Sequence, residues 1–263
     1  MRVLLLLMGL SMLSACGGGS DNQTTMVDSP IAPPPASPAQ PVPEDDLTYR
    51  ILFIGNSHTA AHQMPQMVEA LINRHLPDQK GRAERVPHYR FLADHAVAQQ
   101  TLAQLNSAQW SHVVLQAQKY SQTFSREYPI DGALSLIDKS QQLGASAIMF
   151  PEWAQRSNSV ETEYIHNIHV GIAQQSDACV APVGYAWARA LELRPELELH
   201  ADDGNHSSLT GSYLTALVIF ETLTGEPADL LPATDVVNID ADLQRFLAQA
   251  ATFAIANHAP CDY

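Results

Sequence analysis

The sequence predicts an α/β domain, a three-layer α/β/α sandwich around a parallel sheet of about five strands. Two observations lead there. Short, nearly continuous apolar runs recur through residues 47–263, and stretches with apolar residues at helical spacing lie between most of them. A strand covered on both faces has no polar side and reads as an unbroken apolar run, whereas the helices covering it read as amphipathic. The segment is long enough for one sizeable core, and it contains no internal repeat.

Taken in order, the first strand is RILFIG, residues 50–55. A helix follows through Met64, Met67, Val68, Leu71, Ile72 and Leu76, with Pro65 suited to its first turn. A weaker strand is expected near VPHYRFL, residues 86–92, then a helical face through Val97, Thr101, Leu102 and Leu105. HVVLQ, residues 112–116, is the next strand, followed by a helix through Ile130, Leu134 and Ile137. SAIMF, residues 146–150, is the fourth strand; Tyr164, Ile165, Ile168 and Ile172 mark the helix after it, and ACVAPV, residues 178–183, the fifth strand. Two more helical patterns surround residues 213–223 and 243–253. Ligands of such sheets sit at the carboxyl ends of the strands. That rule sets Ser57, Gln116, Gln118 and the residues after Phe150 along one rim.

Upstream, the chain opens MRVLLLLMGLSMLSAC. One basic residue, an apolar stretch and small residues before Cys16 make the layout of an export signal, too short to span a bilayer comfortably. The Leu13-Ser14-Ala15-Cys16 ending resembles a bacterial lipobox, which implies removal of residues 1–15 and lipidation of Cys16. Residues 16–46 are rich in Gly, Ser and Pro and lack any hydrophobic period, so they read as a disordered tether. By resemblance to Gram-negative lipoproteins, Gly17 after the cysteine favours the outer membrane, with the body facing the periplasm or the surface. The net charge of −14 argues against nucleic acid as a partner and leaves membrane contact to the N-terminal lipid alone. Cys179 and Cys261 remain as an even pair in an oxidising compartment; one disulfide and two buried thiols both stay open, because sequence does not give the Cα separation.

Chemistry enters at GNSH, residues 55–58, where the first apolar run ends in a glycine, an amide, a hydroxyl and an imidazole. A serine hydroxyl becomes a nucleophile when a base takes its proton, and that base needs a third group to orient it. The best partners lie in ADDGNHSS, residues 201–208: Asp203 and His206, three apart, just before a helix that Ser207 or Ser208 can cap. Asp202 is the alternative carboxylate. Together, Gly55-Asn56-Ser57 after the first strand and Asp-x-x-His near the C-terminus resemble the SGNH (GDSL-type) hydrolase superfamily. The resemblance implies a flavodoxin-like sheet, a Ser57 nucleophile, a His206 general base and an orienting Asp203, with no cofactor required. Family members draw oxyanion donors from a glycine after the second strand and an asparagine after the third. Here no glycine occurs between Gly81 and Gly132, and the third strand ends Gln116-Ala117-Gln118. Gln116 or Gln118 is therefore the expected side-chain donor, as in a variant branch with Leu-Gln at this strand end, and the loop at residues 93–95 the expected backbone donor.

His58, His62 and His95 are expected to line the substrate cleft, since no Glu between His58 and His62 supplies the His-Glu-x-x-His metal pattern. His166 and His169 are expected to be solvated, and Glu152 and Trp153 to lie near the cleft. The expectation is an exported, lipid-anchored serine esterase or deacetylase acting on a small acyl ester or acylated glycan. The alternatives are a non-catalytic glycan-binding or envelope lipoprotein on the same fold, and an O-acyltransferase using the same triad.

Overall fold

The structure, a computed structural model, describes residues 46–261. The signal at 1–15, Cys16 and the tether up to residue 45 lie outside the described residues. The sheet is formed by β1 (Tyr49–Ile54), β2 (Gly81–Arg85), β3 (His112–Gln116), β4 (Ser146–Phe150) and β5 (Cys179–Val180). Its order is β2-β1-β3-β4-β5 and every pairing is parallel, the flavodoxin-like order.

Alternation along the strands divides two cores. Ile51 and Phe53 of β1, Val114 of β3 and Ile148 and Phe150 of β4 face one side. There they meet α2 (Met64–His75), α7 (Val183–Leu193), α8 (Leu209–Thr224) and α9 (Ala241–Asn257). Leu52, Ile54, Val113, Leu115, Ala147 and Met149 face the other, against α5 (Asp131–Gln142), the end of α6 (Glu161–Ala173) and the short α3 (Leu92–His95) and α4 (Gln99–Leu105). Each central strand thus buries both faces, which is why it reads as an apolar run.

α8 is buried almost all round, and its ends follow capping chemistry. Ser208 Oγ accepts from Gly211 N at 3.2 Å, and Gly225 closes the helix in the left-handed conformation at φ 72°. Gly211 lets the helix lie against Trp187, since a Cβ there would collide with Leu199 O and stand 2.5 Å from the indole ring.

Four expectations are corrected. The second strand is Gly81–Arg85 rather than residues 86–92: an edge strand, with only Gly81 and Ala83 buried among charged neighbours, carries little apolar signal. The fifth strand shrinks to Cys179–Val180, because Pro182 stops the ladder and α7 begins at Val183, a helix missing from the expected set. Val97 is 81 % exposed and precedes α4. His166 and His169 are buried, not solvated, with His169 Nδ1 2.8 Å from Ile165 O. Burial pushes both imidazoles down to about 4.

Cys179 and Cys261 form a disulfide across a separation of 82 positions. With the Val180 N–H donating to Pro260 O at 2.6 Å, it pins the end of the described chain to the sheet's edge. Chain-entropy reasoning assigns closure of so long a loop about 4.5 kcal/mol.

Candidate active site

The site starts where β1 stops. Gly55 must be a glycine because a Cβ would collide with the Thr59 hydroxyl and stand 2.7 Å from Gln116 Oε1. The chain then turns at Asn56, whose side-chain Oδ1 accepts from His58 N at 2.9 Å and caps α1 (Ser57–Ala60). Ser57 is the first residue of that turn. Its own N–H has no acceptor among the described residues, as expected for a helix N-terminus.

From the other end of the chain, a loop ahead of α8 brings His206 across. Ser57 Oγ lies 2.8 Å from His206 Nε2, and His206 Nδ1 lies 2.5 Å from Asp203 Oδ2. Asp203 Oδ1 also accepts from the N–H groups of Asn205 and His206, both at 2.9 Å, so one carboxylate builds the loop and orients the ring. These bonds, the one from His206 first, hold the Asp203 carboxyl well below the usual carboxylate range. An ionised acceptor at Nδ1 keeps the proton there and leaves Nε2 to receive one from Ser57. The expected trio is brought together, and Asp203 takes the position facing the ring; Asp202 instead borders a separate cavity of about 740 Å³.

Sequence reasoning missed how the base is held. His58, next to the nucleophile, stacks on His206 with ring centroids 4.9 Å apart and planes 17° apart. Its Nε2 lies 3.3 Å from Asn205 O, and the same carbonyl accepts from Trp153 Nε1 at 2.9 Å. Trp153 is buried and stacks on Trp187 with centroids 4.2 Å apart, tying the histidine loop to the core. His62 Nε2 lies 3.2 Å from Ser207 O, one residue further along that loop. The adjacency of a second histidine to the candidate nucleophile was the only signal in the sequence.

The two glutamines take other positions than those expected of oxyanion donors. Gln116 is fully buried beneath the turn: its Oε1 accepts from Asn56 N at 3.0 Å and from Thr59 Oγ1 at 2.9 Å, and its Nε2 donates to Glu152 Oε2 at 2.7 Å. Gln118 Nε2 donates to the carbonyls of Lys119 and Pro129 at 3.2 and 3.1 Å, bracing the loop after β3. The segment at 93–95 is a helical turn in which the Asp94 and His95 N–H groups both donate to Phe91 O. His95 is buried too, with Nε2 3.0 Å from Gly55 O and Nδ1 2.8 Å from Thr101 Oγ1; burial is the main cause lowering its pKa. The donors left without an acceptor among the described residues here are the Ser57 N–H and the Asn56 Nδ2, both on residues that border the cavity. Above them opens a cavity of about 510 Å³, bordered by Asn56, Ser57, His206, Phe91, Lys119 and Tyr128 among others.

Two of the solved structures that resemble the chain carry the comparison. A Slackia heliotrinireducens protein assigned to the SGNH hydrolases is 26% identical, with a TM-score of 0.51 over 66% of this chain and 97% of its own. A DUF4886 family protein from Bacteroides uniformis is 16% identical, with a TM-score of 0.62 over 79% of this chain and 95% of its own. No family model and no curated protein matches the sequence.

Proposed function

Taking the SGNH-hydrolase fold of this chain as the premise, we propose that it is a serine hydrolase that cleaves acyl esters through Ser57, His206 and Asp203. The observation that carries the proposal is the continuous relay from Ser57 Oγ to His206 Nε2 at 2.8 Å and from His206 Nδ1 to Asp203 Oδ2 at 2.5 Å. Ser57 Oγ attacks the ester carbonyl while its proton passes to His206 Nε2. The tetrahedral intermediate collapses, the alkoxide leaves with that proton, and an acyl-Ser57 ester remains. Water then loses a proton to His206 as it attacks the acyl carbon, and Ser57 regains the proton as the acid departs. The Ser57 N–H and Asn56 Nδ2 supply the oxyanion donors in this reading, and Asp203 steadies the imidazolium at each stage.

The substrate is a small acyl ester or an acylated glycan, and the protein reaches it as an exported lipoprotein anchored through Cys16 in the cell envelope. The lipobox-like ending supports the anchor. Metabolic labelling with an alkynyl fatty acid tests it: Cys16→Ser loses both the label and membrane association. For the chemistry, a fluorophosphonate probe labels the purified full chain, and Ser57→Ala abolishes labelling. A folded wild-type protein that takes no label overturns the hydrolase reading.

A further inference from the structure

The cavity over Ser57 is cationic in a chain whose net charge is −14. Lys119 and Arg126 both border it. Lys119 Nζ sits 4.6 Å from the centroid of the Tyr128 ring and 5.5 Å from that of Phe91, and the Arg126 guanidinium lies 5.5 Å from the same Tyr128 ring. Two cations are thus gathered on one aromatic ring, a local repulsion that a nearby carboxylate would ordinarily offset. None does. Among the described residues neither Lys119 nor Arg126 forms an ion pair; Arg85, Arg90 and Arg194 lack one as well, but only Lys119 and Arg126 among these border this cavity. Glu127, beside Arg126 in the chain, makes no such pair among the described residues. The one carboxylate bordering the cavity, Glu152, accepts from Gln116 Nε2 at 2.7 Å and faces His58 Nδ1 at 3.7 Å, so it is turned to the scaffold. Asp203 is spent on the His206 loop.

We propose that the ester cleaved here carries an anionic group, a carboxylate or a sulfonate-like or phosphate-like oxyanion, received by Lys119 and Arg126 beside the Tyr128 ring. An exposed ammonium and an exposed guanidinium suit such a group, and Tyr128 and Phe91 give the organic part of the molecule an apolar wall. The inference rests on the hydrolase reading for its reaction, but not for its binding.

Two measurements on the full chain test it. The first compares kcat/KM for para-acetoxybenzoate with its neutral methyl ester, and for mono-para-nitrophenyl adipate with para-nitrophenyl hexanoate, so that the charge is tried on either half of the ester. An arm with para-acetoxybenzenesulfonate separates carboxylate from sulfonate recognition. In at least one pair the anionic member is preferred; the ratio falls about fivefold in Lys119→Gln and in Arg126→Gln, further in the double variant, and shrinks with added salt. Equal ratios in wild type and double variant for both pairs overturn the inference while leaving a fluorophosphonate-reactive Ser57 intact. The second is thermal stabilisation by para-acetamidobenzoate against its methyl ester, which needs no turnover. Stabilisation by the anion alone, lost in the double variant, supports the inference even if the protein hydrolyses nothing; identical shifts for the two compounds count against it.

Discussion

Gln116→Met separates a scaffold role from a catalytic one. Methionine nearly conserves the volume, but it removes the acceptor of the Asn56 N–H and the Thr59 hydroxyl, now at 3.0 and 2.9 Å. Thr59 is fully buried, so its hydroxyl has no water to turn to. A buried donor left unmet costs about 1–3 kcal/mol, which puts the two together at about 2–6 kcal/mol. For a body of this size about 2–4 °C of Tm follow each kcal/mol, so a fall of about 4–24 °C is expected. Because Asn56 caps the turn that begins with Ser57, the same change slows fluorophosphonate labelling. Gln116→Glu keeps the acceptor and, when protonated toward Glu152, recovers labelling as pH is lowered. The assay is a thermal melt in parallel with the labelling rate. A variant that melts like wild type while labelling falls about 10²–10³-fold would refute the reasoning, since that pattern belongs to a lost oxyanion donor.

Two other outcomes follow from the same structure. Asp203→Asn lowers kcat by about 10⁴, through loss of the tautomer that presents Nε2 to Ser57, whereas Asp202→Asn stays within about twofold; steady-state ester hydrolysis by both variants checks this. For pH, His166 and His169 have folded-state pKa values of about 4 against 6.5 in the unfolded chain, so the unfolded state binds more protons between those values and stability is lost as pH falls from 6.5 to 4. Buried Glu161 and Glu221, whose carboxyls burial pushes up, act in the opposite sense. The readout is therefore a difference: urea unfolding of His169→Gln shows a shallower loss between pH 6.5 and 4 than wild type, and equal slopes would count against the assignment.

The strands at the centre of the sheet were legible because burial on both faces leaves unbroken apolar runs in β1, β3 and β4, at Ile51 to Ile54, Val113 to Leu115 and Ala147 to Phe150. β2 was not, since at an edge the Gly-Arg-Ala-Glu-Arg sequence buries only two small residues. α7 carries a helical spacing at Val183, Ala186, Trp187 and Ala190, but the preceding apolar run absorbed Val183 into a strand and hid its start. Ser57, Asp203 and His206 could be singled out because the turn and the Asp-x-x-His are each local in sequence and the fold brings them together. The glutamines could not be resolved that way. Which way an amide points at a strand end depends on register and on neighbours such as Glu152, 36 positions away. The two histidines of α6 were misjudged for a related reason: they flank an apolar stripe, and the breadth of the buried face is set by packing against other elements, not by the helix itself.

The carbonyl of Asn205, held at once by Trp153 and His58, has a kinetic meaning. The backbone just before the base is clamped from the β4 side and from the nucleophile's own turn, so the relay stands assembled before any ligand arrives. Under the hydrolase reading no loop has to close to complete it, and the reorganisation that a mobile histidine would demand on each turnover has already been met during folding. The rate then belongs to acyl transfer and product departure, and solvent viscosity acts on the latter alone.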